Sequence, residues 1–477
     1  MLDNKSSPQV SVIMANYNGA AHCEMAVYSV LAQSETSLEL LFADDASTDD
    51  SVALVAAIAA NDSRVRILSA KKNSGPAASR NRALDVAKGR WIAIVDSDDI
   101  IHPQRLEKML EAAARLKTDG VADDLIYFGD NTSDAGATLL GASCPEGTVE
   151  VTPSMLVEQG EAGRKPAALG YLKPLLRKSS LGGLRYREDI RIGEDHDFYL
   201  RYLLSGGRVH IIGQSYYLYR RHAASTSYRL YPEDLGLMIK VQTDAVEQFP
   251  DAPQEFLDHC AARHRFLSRS IVSETITQDI KNRRLFKAVT SILRHPHSLL
   301  HLGRAAKEHF QKRMRTGRIA SVAKPSDFIF LSEDQNISDF PREVRGWDVI
   351  AIPDHSAECT SQEWARVTAR FSDAKTRIFG RGLAGLYALG YCPSWGCAIL
   401  DNDKDDWPQQ AEHLRKAGFT KNLPHNQIPQ RPAAFSKRRE ILLLNQMAKK
   451  SVALDENCDA PSRKKGATQI ETEASDV

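Results

Sequence analysis

The sequence lacks the long apolar run that a membrane-spanning helix requires. No stretch reaches roughly 18 consecutive apolar residues, the length at which such a helix is expected. Residues 1–9 are polar and lack the basic and then apolar pattern of a secretory signal peptide. These two absences predict that no helix of the chain spans a membrane.

An excess of charge is missing as well, and cysteine is scarce. The 62 lysines and arginines nearly balance 61 acids, and this net charge of +1 argues against a general nucleic-acid-binding protein. The 7 cysteines are scattered and odd in number, which indicates reduced thiols in the cytosol. Cys392 and Cys397 are spaced like half of a metal site, but no second cysteine pair or nearby histidine completes it.

The first half of the 477-residue chain alternates short apolar strands with helices, and the length indicates two or three domains. Strands are predicted at residues 9–15, 38–42, 65–68 and 91–95, and helices at residues 22–33, 51–60 and 77–87. This alternation predicts a parallel sheet covered by helices on both faces. Ligands gather at the carboxyl ends of strands in such sheets. The side chains that follow strand ends here are Tyr17, Asp44, Asp45, Asp96 and Asp98.

Three carboxylates, Asp96, Asp98 and Asp99, follow the apolar run at residues 91–95. Carboxylates at one strand end repel each other unless a cation lies among them. A hard divalent cation that bridges to phosphate oxygens would meet this need, because Mg²⁺ and Mn²⁺ prefer oxygen ligands and keep positions open for a substrate. The alternative is an acidic turn that caps the next helix.

Four segments of the first half, taken in order, resemble family 2 glycosyltransferases of the GT-A fold. They are residues 10–19, 42–49, 73–81 and 96–99. The resemblance implies a Rossmann-like α/β domain that transfers a sugar from a UDP-sugar with inversion at the anomeric carbon. It is a resemblance to members of the bacterial polysaccharide-biosynthesis type.

The resemblance also implies which residues bind the donor nucleotide. Tyr17 would stack on the uracil face, and Asp45, with Asp44 beside it, would accept a hydrogen bond from uracil N3–H. Ala15 stands where the family often has threonine or proline, and it would contribute through its backbone. Arg80 would reach the base or the diphosphate.

The same resemblance assigns the acidic strand end to the sugar and the metal. Asp96 would hold ribose or donor-sugar hydroxyls, and Asp98 would ligate the Mg²⁺ or Mn²⁺ ion that bridges the two phosphates. Asp99 would cap the helix predicted to open at Pro103, although Asp96 and Asp99 could share the metal. A metal and cationic side chains would stabilise the negative charge that builds on the departing diphosphate.

An acidic motif at residues 193–198 begins another predicted helix. Read in isolation, it is a cluster of acids favoured by the helix dipole. In the family, an Asp at this position deprotonates the acceptor hydroxyl, which makes Asp195 the predicted general base and Glu194 the second candidate.

A further segment, residues 217–227, resembles the family's Tyr-Arg-x-His-x-x-Ser motif. Arg220 and His222 would fold over the diphosphate. The alternative for His222 is an ordinary histidine of a surface loop.

The middle of the chain, residues 236–320, is predicted to be helical and partly basic. Helices are expected at residues 235–249 and 254–276. Residues 281–318 then contain 11 lysines and arginines against one acid, Glu308, with apolar residues interleaved. This pattern is typical of an amphipathic element on an anionic membrane surface. The alternative is a helix packed on the first domain with a solvated basic face.

The last third contains a predicted small Rossmann-like α/β domain at residues 321–450. Strands are expected at residues 327–331, 347–352 and 397–401, and Gly380, Gly382 and Gly385 form a G-x-G-x-x-G pattern ahead of a predicted helix. Asp401 would meet a ribose. Residues 451–477 carry six acids, three bases and no aromatic residue, and they are predicted to be disordered.

Together these features predict a GT-A domain at residues 1–235 whose substrates are a UDP-sugar donor and a lipid-linked glycan acceptor. The expected location is cytoplasmic, at the inner face of the cell membrane, in surface or exopolysaccharide assembly. One alternative is a non-catalytic nucleotide-sugar-binding protein that recruits partners. Another is an NAD-dependent oxidoreductase acting through the three glycines, although no Tyr-x-x-x-Lys motif accompanies them.

Overall fold

A computed structural model describes residues 7–128, 137–145, 147–158, 168–221 and 231–296, together with the backbone of six short strands beyond them. Element boundaries below refer to these residues. In this part of the chain, no helix combines the length and the apolar character needed to cross a membrane.

The first half of the main sheet follows the predicted alternation of strands and helices. Its elements are β1 (Val10–Asn16), α1 (Cys23–Leu31), β2 (Leu38–Asp44), α2 (Ser51–Ala59), β3 (Val65–Ser69), α3 (Pro76–Val86) and β4 (Trp91–Ile94). The strands run parallel in the order β3-β2-β1-β4. Each predicted boundary lies within two residues of the observed one.

The second half of the sheet is mixed. It contains β5 (Ile100–Ile101), α4 (Arg105–Leu116), β6 (Gly120–Phe128), β7 (Thr148–Glu150), α5 (Pro153–Val157), β8 (Leu175–Arg177), α6 (Glu194–Leu204) and β9 (Val209–Arg220). The strand order continues as β4-β8-β6-β9-β5, with β7 paired to β9, so the sheet has nine strands. Strand β8 is antiparallel to both β4 and β6. Strands β6 and β9 pair in parallel, so the expectation of a parallel sheet fails only at β5, β7 and β8 among the described strands of this sheet.

Apolar cores cover both faces of this sheet, as the near-continuous hydrophobic strands require. Successive residues of a strand point to opposite faces. Thus Phe42 belongs to one core with Leu106, and Leu41 to the other with Phe198. All four side chains are buried.

The turn into α3 depends on glycine. Gly75 has φ +91°, a left-handed conformation that side chains rarely adopt, and Pro76 then supplies the first residue of the helix. This turn brings the backbone of residues 74–75 next to the end of β2, where the site lies.

Three helices follow the main sheet: α7 (Pro232–Gln248), α8 (Gln254–Lys281) and α9 (Leu285–Arg294). Helix α8 continues five residues past its predicted end. Helices α7 and α8 pack together, and the buried Gln242 amide donates to the Cys260 carbonyl at 2.7 Å.

The six strands of the last third form a second, all-parallel sheet. They are β10 (Phe328–Ser332), β11 (Asp348–Ile352), β12 (Ile378–Arg381), β13 (Ala398–Asp401), β14 (Lys421–Asn422) and β15 (Ile441–Leu443). Their order, β14-β13-β12-β10-β11-β15, contains the 2-1-3-4-5 arrangement of one type of doubly wound sheet. The three strands predicted in this region are present.

Gly380 lies within β12, paired with Phe330 and Leu400, rather than in the turn that follows the strand. Gly382, Gly385, Cys392 and Cys397 fall outside the described residues, as do residues 297–327 and the tail at 451–477. The proposed division into domains at 235, 320 and 450 stays a prediction.

Candidate active site

The end of β4 delivers Asp96 and Asp98, both half-buried, and the buried Asp99 to the rim of the sheet. Asp99 accepts hydrogen bonds from the Tyr217 hydroxyl at 2.8 Å and from the Arg220 backbone N–H at 2.7 Å. Helix α4 begins at Arg105 with no side-chain cap. The prediction that Asp99 caps this helix is therefore wrong. Asp99 instead connects the end of β4 to β9 through these two hydrogen bonds.

Negative charge is concentrated at this strand end. Burial and the neighbouring charges of Asp98 and Asp96 raise the pKa of Asp99 well above its ordinary value. A hard cation near Asp98 would relieve this repulsion, so the donor set fits Mg²⁺ or Mn²⁺. Among the described residues, no three carboxylate, histidine or cysteine side chains gather closely enough to hold a metal alone. A metal here would need oxygens from a bound ligand.

Arg80, on α3, reaches across the site to three carboxylates and is 5% exposed at its side chain. Its guanidinium lies 3.0 Å from Asp96, 2.7 Å from Glu194 and 3.2 Å from Asp195. Glu194 and Asp195 lie 98 and 99 positions after Asp96 in the sequence, and the three carboxylates share one cation. The contact of Arg80 with the uracil ring or the diphosphate of the donor stays a prediction.

Lys173 completes this cluster and was not among the site residues predicted from the sequence. Its Nζ lies 2.7 Å from an Asp195 oxygen and 2.9 Å from an Asp96 oxygen, with the side chain 4% exposed. The available signal was a lysine between Leu172 and the apolar run at 174–176, because a lysine is rarely buried unless it is paired.

A second buried ion pair fixes the backbone at Lys173. Arg105 pairs with Asp123 at 2.9 Å, and both side chains are completely buried. The Arg105 guanidinium also donates to the Lys173 carbonyl at 2.5 Å. Arg105 of α4 and Asp123 of β6 thus fix the position of the Lys173 backbone.

The surroundings shift the pKa values of Asp96 and Glu194 in opposite directions. Burial alone would raise the pKa of Asp96, but the charges of Lys173 and Arg80 outweigh it and hold that pKa well below the usual range. Burial and the neighbouring Asp195 charge raise the pKa of Glu194. Asp96 is therefore firmly ionised at neutral pH, whereas Glu194 takes up a proton more readily.

The two predicted base candidates lie in the first turn of α6. Gly193 precedes them with φ +92°, and the helix begins at Glu194. Asp195 faces Lys173 and Arg80 from this position. The favourable helix dipole and the ion-pair cluster act on the same carboxylates, so the two sequence interpretations of the motif are compatible.

The side chains predicted to bind the uracil ring of the donor lie at the ends of β1 and β2. Tyr17 is 52% exposed, so its ring is open to a stacking partner. Ala15 lies on β1 opposite Ala43. The buried Asp45 carboxylate accepts from the backbone N–H groups of Ser74, at 3.0 Å, and Gly75, at 2.7 Å. Asp45 thus holds the turn before α3, and its contact with uracil stays a prediction.

Asp44 is buried and organises the two loops above β1 and β2. Its carboxylate accepts from the Asn16 amide at 3.0 Å and from the Ser47 hydroxyl at 2.6 Å. These bonds make Asp44 a support for the loop that carries Tyr17.

Of the two residues predicted to bind the diphosphate, Arg220 is among the described residues and His222 is not. The Arg220 Nε donates to the Asp98 carbonyl at 2.7 Å, which places this guanidinium at the acidic strand end.

Comparison with known proteins identifies the family of this chain. The family model described as "Glycosyl transferase family 2" matches residues 11–156. The succinoglycan biosynthesis protein ExoO of Rhizobium meliloti is 32% identical over 300 residues, which cover 62% of this chain and 84% of ExoO. ExoU of the same organism is 30% identical over 310 residues, covering 61% of this chain and 84% of ExoU. The chain belongs to glycosyltransferase family 2.

Among solved structures, Staphylococcus aureus TarS 1–349 in complex with UDP-GlcNAc is similar to this chain. The identity is 20%, the match covers 60% of this chain and 79% of TarS 1–349, and the TM-score is 0.46.

Proposed function

We propose that the protein is an inverting, metal-dependent glycosyltransferase that moves a sugar from a UDP-sugar to a hydroxyl of a glycan acceptor. The observation that carries the proposal is the bridge from Asp96 through Lys173 to Asp195. It joins the acidic end of β4, where the family binds its donor, to the helix start where the family has its base. The two relatives named for succinoglycan biosynthesis support a role in exopolysaccharide or surface-polysaccharide assembly.

The transfer step needs one base and one departing group. Asp195 takes the proton of the acceptor hydroxyl, and that oxygen attacks the anomeric carbon of the donor sugar. The bond between the anomeric carbon and the diphosphate oxygen breaks, and its electron pair leaves with UDP. Attack from the face opposite the leaving group inverts the anomeric configuration.

The chain's own cations prepare this step. Arg80 and Lys173 hold the Asp195 and Asp96 carboxylates within one cluster, so the base needs no large movement when the substrates bind. Asp96 would then accept from hydroxyls of the ribose or donor sugar. Glu194, with its raised pKa, is less suited to act as the base at low pH.

On the donor side, the exposed Tyr17 ring would stack on uracil, and Asp45, anchored on the turn before α3, would recognise N3–H. Asp98, with Asp96 beside it, would hold a Mg²⁺ or Mn²⁺ ion. When bound, this ion would neutralise charge on the departing diphosphate. Arg220 lies at the same strand end and would face that diphosphate.

Helix α9 supports membrane contact. Phe286 is 87% exposed, Leu293 77% and Leu285 61%. Arginine and lysine residues interleave with them at 283, 284, 287 and 294. Such a helix suits the surface of an anionic bilayer, with its apolar side chains in the headgroup boundary. We infer that the protein binds peripherally to the inner face of the cell membrane, where it would reach a lipid-linked acceptor. The remainder of the basic segment, residues 297–318, lies outside the described residues.

Release of UDP by the purified full-length protein tests the proposal. A panel of UDP-sugars is incubated with Mn²⁺, with and without EDTA, and with and without a membrane lipid extract. Release from one sugar nucleotide that EDTA abolishes is expected, and the Asp98→Asn variant should lose this release while keeping its fold. Tight UDP binding without release under any of these conditions would instead favour a non-catalytic binding protein.

A further inference from the structure

Three tyrosines at the site have no role in the proposed transfer step. Tyr127 and Tyr219 lie opposite each other on β6 and β9, and their rings meet edge to face with centroids 5.8 Å apart. Tyr171 meets Tyr219 in the same manner at 6.2 Å. The Arg221 guanidinium lies 4.2 Å from the Tyr127 ring centroid. We refer to Tyr127, Tyr171, Tyr219 and Arg221 as the tyrosine cluster.

The tyrosine cluster flanks the base on one side. Tyr171 ends a short 3-10 turn at Leu169–Tyr171. A Cβ atom at Gly170 would lie 2.9 Å from the His196 Cβ, so this turn packs directly on the first turn of α6. Two residues after Tyr171, Lys173 bonds to Asp195 at 2.7 Å. Tyr171 is therefore held next to the helix turn that carries the base.

The tyrosine cluster is connected to the acidic strand end through β9. Arg220 follows Tyr219 on this strand, and its guanidinium donates to the Asp98 carbonyl. Successive residues of a strand point to opposite faces, so the Tyr219 side chain leaves β9 on the face opposite to Arg220, where it packs with Tyr127 against the core that contains Tyr217.

The order of strands separates this cluster from the donor residues. Tyr17 and Asp45 follow β1 and β2, and the order β2-β1-β4-β8-β6-β9 places the cluster on the other side of β4 and β8. Asp96 and Lys173, next to β4 and β8, lie between them. The donor nucleotide would lie above β1 and β2. The acceptor would then approach from the opposite end of the sheet edge, where the tyrosine cluster lies on β6 and β9.

The chemistry of the cluster suits a sugar ring. The Tyr171 side chain is 37% exposed although it is largely apolar, and Tyr127 and Tyr219 are half-buried. An aromatic face is matched by the C–H face of a pyranose, while a phenolic hydroxyl can bond at the wet edge of the ring. We propose that the tyrosine cluster binds the pyranose ring of the acceptor that carries the attacking hydroxyl. This inference rests on the proposed function, because it takes Asp195 as the base.

Saturation-transfer NMR with methyl pyranosides tests this inference directly. The full-length protein, with and without UDP and Mn²⁺, is titrated with the methyl glycosides of glucose, galactose, mannose and N-acetylglucosamine. At least one of them should receive magnetisation chiefly at the protons of its apolar face. The Tyr171→Ala variant should bind it about tenfold more weakly, and Phe266→Ala, which removes an exposed aromatic ring from α8, should not.

The possible outcomes separate this inference from the proposed function. Equal binding by wild type and Tyr171→Ala, or no pyranoside signal from wild type, would overturn the acceptor subsite. UDP binding is measured by calorimetry on the same samples and tests the donor site independently. If UDP failed to bind, the donor assignment would fall, and the pyranoside signal without nucleotide would still decide the role of the cluster.

Discussion

Lys173 and Asp195 lie 2.7 Å apart between Nζ and a carboxylate oxygen, and both side chains are largely hidden from water. Burial would lower the pKa of Lys173, but Asp195 and Asp96 hold that pKa well above its ordinary value, so the lysine is charged. The pair connects β8 to the start of α6 at the point where we place proton transfer.

Loss of the lysine charge should impair transfer more than donor binding. In Lys173→Met, the Asp96 and Asp195 carboxylates keep Arg80 as their one shared cation in the described part of the chain, and we expect them to separate. Transfer should fall roughly 100-fold, because small displacements of a catalytic group have effects of that order. UDP affinity, measured by calorimetry, should stay close to that of the wild type.

Lys173→Arg is the matched variant, since it keeps the charge and should recover much of the activity. Breaking a buried ion pair also costs about 3–5 kcal/mol of stability. Thermal unfolding therefore has to show that Lys173→Met is folded at the assay temperature. A folded Lys173→Met with wild-type transfer rates would contradict the positioning role.

Asp195→Asn should separate binding from chemistry in the sharpest way. The amide cannot take up the acceptor proton, so the transfer rate should fall by about 10²–10⁴. Its shape is nearly that of the carboxylate, and UDP binding should persist. Stopped-time assays of product glycan, with calorimetry of UDP, measure the two effects.

The companion variant Glu194→Gln decides between the two base candidates. It should retain most of the transfer activity, because Arg80 is the cation that Glu194 contacts and Asp195 keeps Lys173. A loss confined to Glu194→Gln would move the base to Glu194.

His196 should make the fold sensitive to acid. Burial and the charge of Arg263 lower the pKa of His196 from 6.5 to about 3, and its ring nitrogen Nε2 lies 3.0 Å from the Leu156 carbonyl oxygen. The unfolded chain takes up a proton at this residue below about pH 6.5, whereas the folded chain does not until about pH 3. The stability is therefore complete above pH 6.5 and is lost as the pH falls, by up to about 1.4 kcal/mol per unit.

Urea unfolding at pH 7.0, 5.5 and 4.5 measures this dependence. The comparison is with His196→Gln, which removes the titrating group, so the difference between the two proteins isolates the contribution of His196. The wild type should lose more stability than the variant on acidification. If the free energy of unfolding changed with pH in the same way for both proteins, His196 would take up its proton equally in the folded and unfolded states, which would contradict this prediction.

The apolar face of α9 should control membrane binding. Replacing Phe286 and Leu293 together by serine removes two of the most exposed apolar side chains without changing the charge. We expect co-sedimentation with vesicles that contain anionic lipid to fall at least tenfold, since each buried apolar side chain contributes about 1.5–3 kcal/mol. Phe266→Ser on α8 serves as the control for a generic exposed aromatic ring.

Binding of the wild type should also weaken with added salt and on vesicles of neutral lipid, because the basic residues of the segment contribute through charge. Wild-type binding that is unaffected by both the double variant and salt would place the membrane contact elsewhere.

Local patterns were sufficient for much of the architecture. The near-continuous apolar strands, the Gly75-Pro76 turn and the carboxylates after β4 follow from chemistry within a few residues, and so the first four strands could be predicted closely. The antiparallel β8 was not predicted, because its three residues make contacts mainly with strands distant in the sequence.

The same division applies to the site. By itself the sequence determined the family, the strand-end acids and the acidic start of α6, since each is a short motif whose residue types are set by its chemistry. Only the tertiary structure decided that Arg80 and Lys173 join Asp96 to Asp195, that Asp99 bonds to Tyr217 and Arg220 rather than capping a helix, and that Tyr127, Tyr171 and Tyr219 meet. Most of these contacts join residues far apart along the chain, so the apolar neighbours of Lys173 could suggest that this lysine is buried but not which carboxylates it meets.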